Sequence, residues 1–398
     1  MYQTHSAGAS WRERLALERN VSAAAGALFL LGFGEELWRR YVPKYLEALG
    51  AGPGAIGLYG TAEDFCDAVY QLPGGTLADR LGRRRAFPIF LLIAAAGYLV
   101  YLLSPSWPWV FLGLALAMAW TSMASPATFA VIADALPRHR RAMGFTVQSI
   151  LRRVPRLVSP LAGGALIGTL GVVAGMRVGF AVTLVLAGLT LLVVTRMDLP
   201  ALPSRPMGLR GVWGAFDPSL KRLLASDIVI RTCEGLAGVF VILWVTTVRG
   251  YSVPAFSVFL AIQVATSILV YLPAARWADT IGRKPFVTAT FLAFALFPVA
   301  VVLAHGPIAM AAAFVVGGLR EIGEPARKAM IVDSAHAELR GRTVGLYYLA
   351  RGFSVTPAAA AGGLLWRASP ALPFFVAGAV GLVGTLLFVA TVEERHAA

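Results

Sequence analysis

The segment GGTLADRLGRRRAF, Gly74 to Phe87, returns in altered form as YLPAARWADTIGRKPF, Tyr271 to Phe286. Leu72, Pro73, Asp79, Gly82 and Arg83 recur as Leu272, Pro273, Asp279, Gly282 and Arg283, at a constant offset of 200. Each copy joins the end of one long apolar run to the start of the next. A chain that repeats an inter-helix connection half-way along is built from two similar halves. Such a repeat predicts paired bundles of membrane-crossing helices, the plan of a secondary transporter.

Composition agrees. Of the 398 residues, 58% are hydrophobic and 14% charged, and the mean hydropathy is +0.70. A soluble domain is about half apolar and about a quarter charged. The surplus falls in twelve runs, 21–43, 55–77, 87–104, 108–135, 142–170, 177–195, 224–248, 254–277, 285–304, 308–334, 342–366 and 371–391. Each can cross a hydrocarbon layer about 30 Å thick at about 1.5 Å per residue. Lipid offers bare backbone groups no partner, so the spans are helices or a closed barrel. Continuous apolarity without alternation selects helices.

The net charge of +14 follows the topology of these spans. With the N-terminus inside, most loop arginines, among them Arg84, Arg85, Arg138, Arg140 and Arg205, are cytoplasmic. The external connections keep little beyond Lys44, Arg177, Arg249 and Arg367. This positive-inside bias puts both ends in the cytoplasm and leaves no call for a nucleic-acid partner. The expected organisation is a lead-in at 1–20, a six-helix bundle at 21–195, a cytoplasmic linker at 196–223, a second bundle at 224–391 and a tail at 392–398. Cys66 and Cys233 both fall within spans, so no disulfide framework is expected. The first span reads as an ordinary helix, not a cleavable signal.

The halves align beyond the loop. Ser125-Pro126-Ala127 and Asp134 match Glu324-Pro325-Ala326 and Asp333, Arg141 matches Arg342, and Pro160 with Gly163-Gly164 echoes Pro357 with Gly362-Gly363. Same-direction repeats imply a pseudo-two-fold axis along the membrane normal, with the substrate site near mid-membrane between the halves.

On these residues the chain resembles the twelve-helix type of the major facilitator superfamily over essentially its whole length. Gly75 to Arg84, GTLADRLGRR, fits that family's G-x-L-A-D-R-x-G-R-K loop, and the second copy departs from it at Ala275 and Trp277. Ser159-Pro160-Leu161-Ala162-Gly163-Gly164 is similar to the G-P-x-x-G-G element of the drug/proton antiporters, with Ser159 replacing the first glycine. The resemblance implies an all-α membrane protein of two pseudo-symmetric six-helix halves, working as a monomer. It also implies a cytoplasmic gate in which Asp79, with Arg83 as partner, locks that side shut. Gly75, Arg80 and Gly82 belong to this gate, with Asp279, Gly282 and Arg283 as its second copy. Asp134 with Arg141 and Asp333 with Arg342 look like further latches. The Ala-, Arg- and Gly-rich composition suits a bacterial inner membrane.

Apart from end residues, the third, sixth, ninth and twelfth spans carry no charge, which fits the resemblance, since it implies that these four helices are peripheral and face lipid. The buried acids are Glu35, Glu36, Glu63, Asp64, Asp67, Glu234, Glu321 and Glu324, against Arg39, Arg40, Arg152, Arg153, Arg156, Arg231, Arg320 and Arg351. Glu35–Arg39 and Glu36–Arg40 have the i,i+4 spacing of helix-face ion pairs. Asp64 and Asp67 are the leading proton carriers. With Glu63 they put three acids within five residues, which should not all be ionised in a low dielectric. Glu234 and its counterpart Glu35 come next.

Arg152 lies about 15 Å into the fifth span. Its fixed charge and forked donors suit a carboxylate or phosphate. Arg152, Arg153, Arg156, Arg320, Glu321 and Arg351 are candidates for the substrate cavity, pairing across the bundle being the structural alternative. Trp38, Trp244 and Tyr347 are candidate aromatic walls.

These features predict a proton-coupled antiporter exporting a small amphipathic or anionic organic molecule, with proton-coupled uptake of an organic anion as the alternative. A divalent-metal exporter would need more than five histidines confined to ends and loops, and a sensor or scaffold would need a domain to receive its signal. No catalytic set, metal spacing or phosphate loop points to an enzyme, a cofactor or a resident metal.

Overall fold

The computed structural model describes residues 19–123, 141–195, 213, 216–334 and 340–393, without the side chains of 19–25, 71–76, 78–80, 83, 141–152, 272, 275, 279 and 340–342. Among the described residues every regular element is helical. The first half comprises α1 (Arg19–Glu36), α2 (Pro53–Leu81), α3 (Arg83–Leu103), α4 (Trp107–Met118), α5 (Arg141–Leu170) and α6 (Val172–Thr195). The second comprises α7 (Pro218–Gly238), α8 (Val253–Ile281), α9 (Lys284–Leu303), α10 (Pro307–Leu319), α11 (Arg340–Val355) and α12 (Leu372–Thr391).

Local chemistry explains the boundaries. Pro53, Pro254, Pro307 and Pro373 stand in first turns, where the missing N–H would have had no helical partner. Asp217 caps α7 by accepting from the Ser219 N–H at 2.8 Å. The connections turn on glycines with positive φ. Gly50 and Gly82 have φ of 85° and 76°, and their counterparts Gly250 and Gly282 have 73° and 111°. Only glycine adopts such angles freely. The 200-residue repeat is therefore written in the backbone as well as in the letters.

Among the described residues four spans are interrupted. α1 ends at Glu36 and resumes, after a turn at Leu37–Trp38, as a 3-10 turn (Arg39–Tyr41) and a short helix (Val42–Ala48). α7 continues past Phe240 as Val241–Leu243, α10 past Gly323 as Glu324–Asp333, and α11 past Pro357 as Ala358–Ala368. Among the described residues six helices, α3, α6, α7, α8, α9 and α12, are long and apolar enough to cross a bilayer by length and hydropathy alone. α1, α2, α5, α10 and α11 are broken, or diluted by the charges that face the centre. α3, α6, α9 and α12 present Leu92, Leu99, Leu192, Leu296 and Leu386 outward, as the sequence leads one to expect of peripheral helices.

Within the halves, α1 packs on α5 and α6, and α7 and α9 pack on α12. Between them, α2 packs on the two segments of α11, and α5 on α8.

Candidate functional site

Glycines let the halves approach. A Cβ on Gly57 of α2 would stand 2.5 Å from the Ala359 carbonyl, and one on Gly164 of α5 would stand 2.5 Å from Ser257 Oγ of α8. Gly168 abuts Pro254 in the same way. The Ala360 N–H donates to Thr61 Oγ1 at 3.0 Å. Nearer the loops, Lys44 Nζ donates to Thr247 Oγ1 at 2.8 Å, and Thr247 donates to Glu47 Oε1 at 3.0 Å. These contacts seal the face that carries the α1–α2 and α7–α8 connections. The glycines of Ser159–Gly164 and of Ala361-Gly362-Gly363 thus serve close packing between helices.

Below this seal lies a cavity of about 450 Å³, bounded by both halves. Glu36, Arg39, Arg40, Glu63, Asp64 and Arg156 line it from the first half, Glu234 and Arg320 from the second. Tyr59, Phe256, Leu260 and Phe297 supply apolar wall.

Most of these charges are matched within their own half. Arg39 donates to Glu63 Oε1 from Nε and Nη2, at 3.0 and 2.7 Å. Glu234 is held by Arg231 at 2.7 Å and by Arg320 at 3.3 Å. Glu35 accepts from Tyr98 at 2.5 Å and Thr121 at 2.9 Å. The expected Glu35–Arg39 pair does not form, because the turn at Leu37–Trp38 breaks the i,i+4 register and sends Arg39 to α2. Glu36 and Arg40 do approach, at 3.8 Å. Asp67 accepts from Ser122 at 2.7 Å. Asp64 belongs to none of the ion pairs among the described residues.

Other candidates lie off the wall. Trp38 is buried, donates to Thr183 at 3.0 Å and packs on Tyr98, Tyr101 and Phe180. Trp244 donates to the Val301 carbonyl at 3.2 Å and packs on Phe374. Tyr347 is fully buried and donates to Asp227 at 3.0 Å. Arg351 reaches the same carboxylate at 3.3 Å. Arg153 crosses between the halves, 3.8 Å from Glu321 and over the Tyr271 ring at 4.1 Å. Of the residues expected at the gate, Arg283 donates to Asp333 at 2.5 Å and joins the α8–α9 turn to the continuation of α10, whereas the resemblance pairs Asp333 with Arg342. Asp134 and the side chains of Asp79, Arg80, Arg83, Arg141, Arg152, Asp279 and Arg342 lie outside the described residues, and Gly75 lies on α2 among positions described by backbone alone.

Sequence reasoning passed over Asp227 and Arg327, the most deeply buried ion pair described, at 0% and 1% exposure. Arg327 also donates to Glu324 at 2.8 Å. The signal was present: Asp227 stands four residues before Arg231, and Arg327 three after Glu324.

Comparison with known proteins agrees with this architecture. Residues 24–244 and 223–398 match the sequence profile of the Major Facilitator Superfamily. Over 386 residues the chain is 19% identical to an uncharacterised MFS-type transporter of Methanocaldococcus jannaschii, covering 94% of this chain and 95% of that one. Over 137 residues it is 26% identical to the quinolone resistance protein NorA of Staphylococcus aureus, 34% of this chain and 35% of the relative. The fold overlays on a variant of the nucleoside transporter NupG with a TM-score of 0.80 at 11% identity, over 94% of this chain and 100% of that one. Twelve membrane helices in two repeated halves, closed around a charged cavity, make this chain a member of the Major Facilitator Superfamily of transporters.

Proposed function

We propose that the chain exports a small amphipathic or anionic organic molecule in exchange for protons, by alternating access. The observation that carries this reading is Asp64: it lines the cavity but takes part in no ion pair among the described residues, while Glu63 and Glu234 beside it are each held by arginine. An acid without a base in a low dielectric can neutralise its charge only by taking up a proton or a cation. Proton and substrate then compete through the charge balance of one cavity, as exchange requires.

The positive-inside rule places the sealed face outside and both termini in the cytoplasm, which makes this conformation inward-facing. The halves 21–195 and 224–391 are the rocking bodies of a monomer in a plasma membrane, of bacterial type by composition. Likeness to a quinolone resistance protein over about a third of the chain supports the outward direction. Uptake of an organic anion is the second reading, favoured by the arginines that line the cavity.

Reconstitution in liposomes with an imposed pH gradient tests both. Substrate moving against the proton flow supports exchange, and co-directional movement supports uptake. Movement indifferent to the gradient refutes both.

A further inference from the structure

Arg40 and Arg156 differ from the other central arginines. Both converge on the carboxylate of Glu36: Arg40 Nε is 3.8 Å from Oε2, and Arg156 Nε is 3.5 Å from Oε1. Neither donates a hydrogen bond to any described residue, and Glu36 Oε2 is buried with no hydrogen-bond partner. More than half of each arginine side chain is open, 53% and 56%, against 11% for Glu36. Arg39, Arg231 and Arg320 direct their donors at Glu63 and Glu234 instead. Both Arg40 and Arg156 line the central cavity, Arg156 from the middle of α5.

Two permanent positive charges share one carboxylate, a local excess of one positive charge; Asp64, the lining acid outside the ion pairs among the described residues, meets neither arginine. An unmatched charge at membrane depth is costly unless water or a ligand satisfies it. We propose that Arg40 and Arg156 form the anion subsite of the transported molecule, and that this molecule is an amphipathic organic carboxylate gripped by both guanidiniums. The inference rests on the transport reading above and narrows its substrate class. The resident ligand of the pair is itself a carboxylate, held too loosely for hydrogen bonds. An incoming carboxylate replaces like with like and gains the charge-assisted bonds that Glu36 does not make. Phe256, Leu260 and Phe297 of the second half give its apolar body a surface, in the usual manner of a largely apolar pocket with few polar anchors.

The test uses the full-length protein in detergent, with hydrocinnamate as probe and hydrocinnamamide, phenylpropylamine and phenyl phosphate beside it. Binding is read from the shift in melting temperature on titration. Hydrocinnamate should raise the melting temperature, with the amide weaker by about tenfold or more, the scale of a lost charge-assisted bond. Arg40→Gln and Arg156→Gln should each weaken hydrocinnamate by a similar factor. Arg156→Lys should not restore it, since an ammonium lacks the planar fork. Glu36→Gln should tighten it, by removing the internal competitor.

Equal stabilisation by acid and amide would overturn the proposal. So would undiminished binding in either glutamine variant, or tighter binding of phenyl phosphate or the amine. If Arg156→Gln does not yield folded protein, Arg40→Gln and Glu36→Gln decide. The transport reading is judged separately in liposomes. Gradient-driven movement of the amine without carboxylate binding sinks the anion subsite alone. Carboxylate binding with no gradient-driven movement of any probe sinks the transport reading and leaves the subsite.

Discussion

The carbonyl oxygen of Leu37 occupies the space that a side chain on Gly163 would need. The second half repeats the arrangement, with the Leu236 carbonyl against Gly362. In each half a broken helix exposes a carbonyl, and a helix from the repeated glycine pair fits over it.

Gly163→Ala and Gly362→Ala should therefore destabilise the protein by about 1–3 kcal/mol each, the usual cost of overpacking a tight contact. Gly188 has nothing within 4 Å. Gly188→Ala in α6 should be neutral or stabilise by up to about 1 kcal/mol through helix propensity. Melting temperatures of the purified variants check all three, and an undisturbed Gly163→Ala would contradict the described contact.

Asp227→Asn should be among the most damaging single changes. It would leave the Arg327 guanidinium, 1% exposed, with only Glu324, and would weaken the contacts of Tyr347 and Arg351. Removing one partner of a buried pair costs about 3–5 kcal/mol. The double change Asp227→Asn with Arg327→Met should lose clearly less than the two single losses added together, because it abolishes the stranded charge. Thermal unfolding of the three variants measures the coupling.

Asp64→Asn should abolish the pH dependence of transport while substrate exchange continues at equal pH on both sides. Asp64 makes no ion pair among the described residues, so the change should move the melting temperature little. Retention of gradient-driven transport in Asp64→Asn would move the proton site elsewhere, Glu35 being next to test.

Glu47 and Thr247 meet across the sealed face at 3.0 Å. With Cys66 and Cys233 replaced by serine, Glu47→Cys combined with Thr247→Cys should be captured as a disulfide on mild oxidation, which tests how closely the two backbones approach. Transport should stop on oxidation and return on reduction, with each single variant unaffected. Full transport in the oxidised double variant would show that this face never opens.

The repeated loop, the twelve apolar runs and the uncharged third, sixth, ninth and twelfth spans were all readable from residues, because lipid imposes length and apolarity on a sequence directly. Pairing of the central charges was not. The i,i+4 spacing sets Arg39 along its own helix, toward Glu35, but the turn at Leu37–Trp38 sends it to Glu63. No composition signal marks that turn, since Leu, Trp and Arg all tolerate helix. Asp227 was passed over because it stands near the start of its span, where a charge reads as interfacial. The structure buries it completely beneath Arg327, Arg351 and Tyr347. The candidate aromatic walls Trp38, Trp244 and Tyr347 pack within their halves, a placement hidden from the sequence for a related reason: periodicity gives a face, and it does not say whether that face meets the cavity or the helix beside it.

Arg153–Glu321 is the one ion pair among the described residues that joins the two halves; the rest close within a half. Apart from that pair, each half is electrically self-contained among the described residues. In the proposed rocking motion the halves break van der Waals contacts between glycines and their neighbours and a few polar bonds, and Arg153–Glu321, at 3.8 Å, is the one described pair of opposite charges they pull apart. The barrier between conformations is then set mostly by shape, and salt should alter substrate binding far more than the speed of the switch.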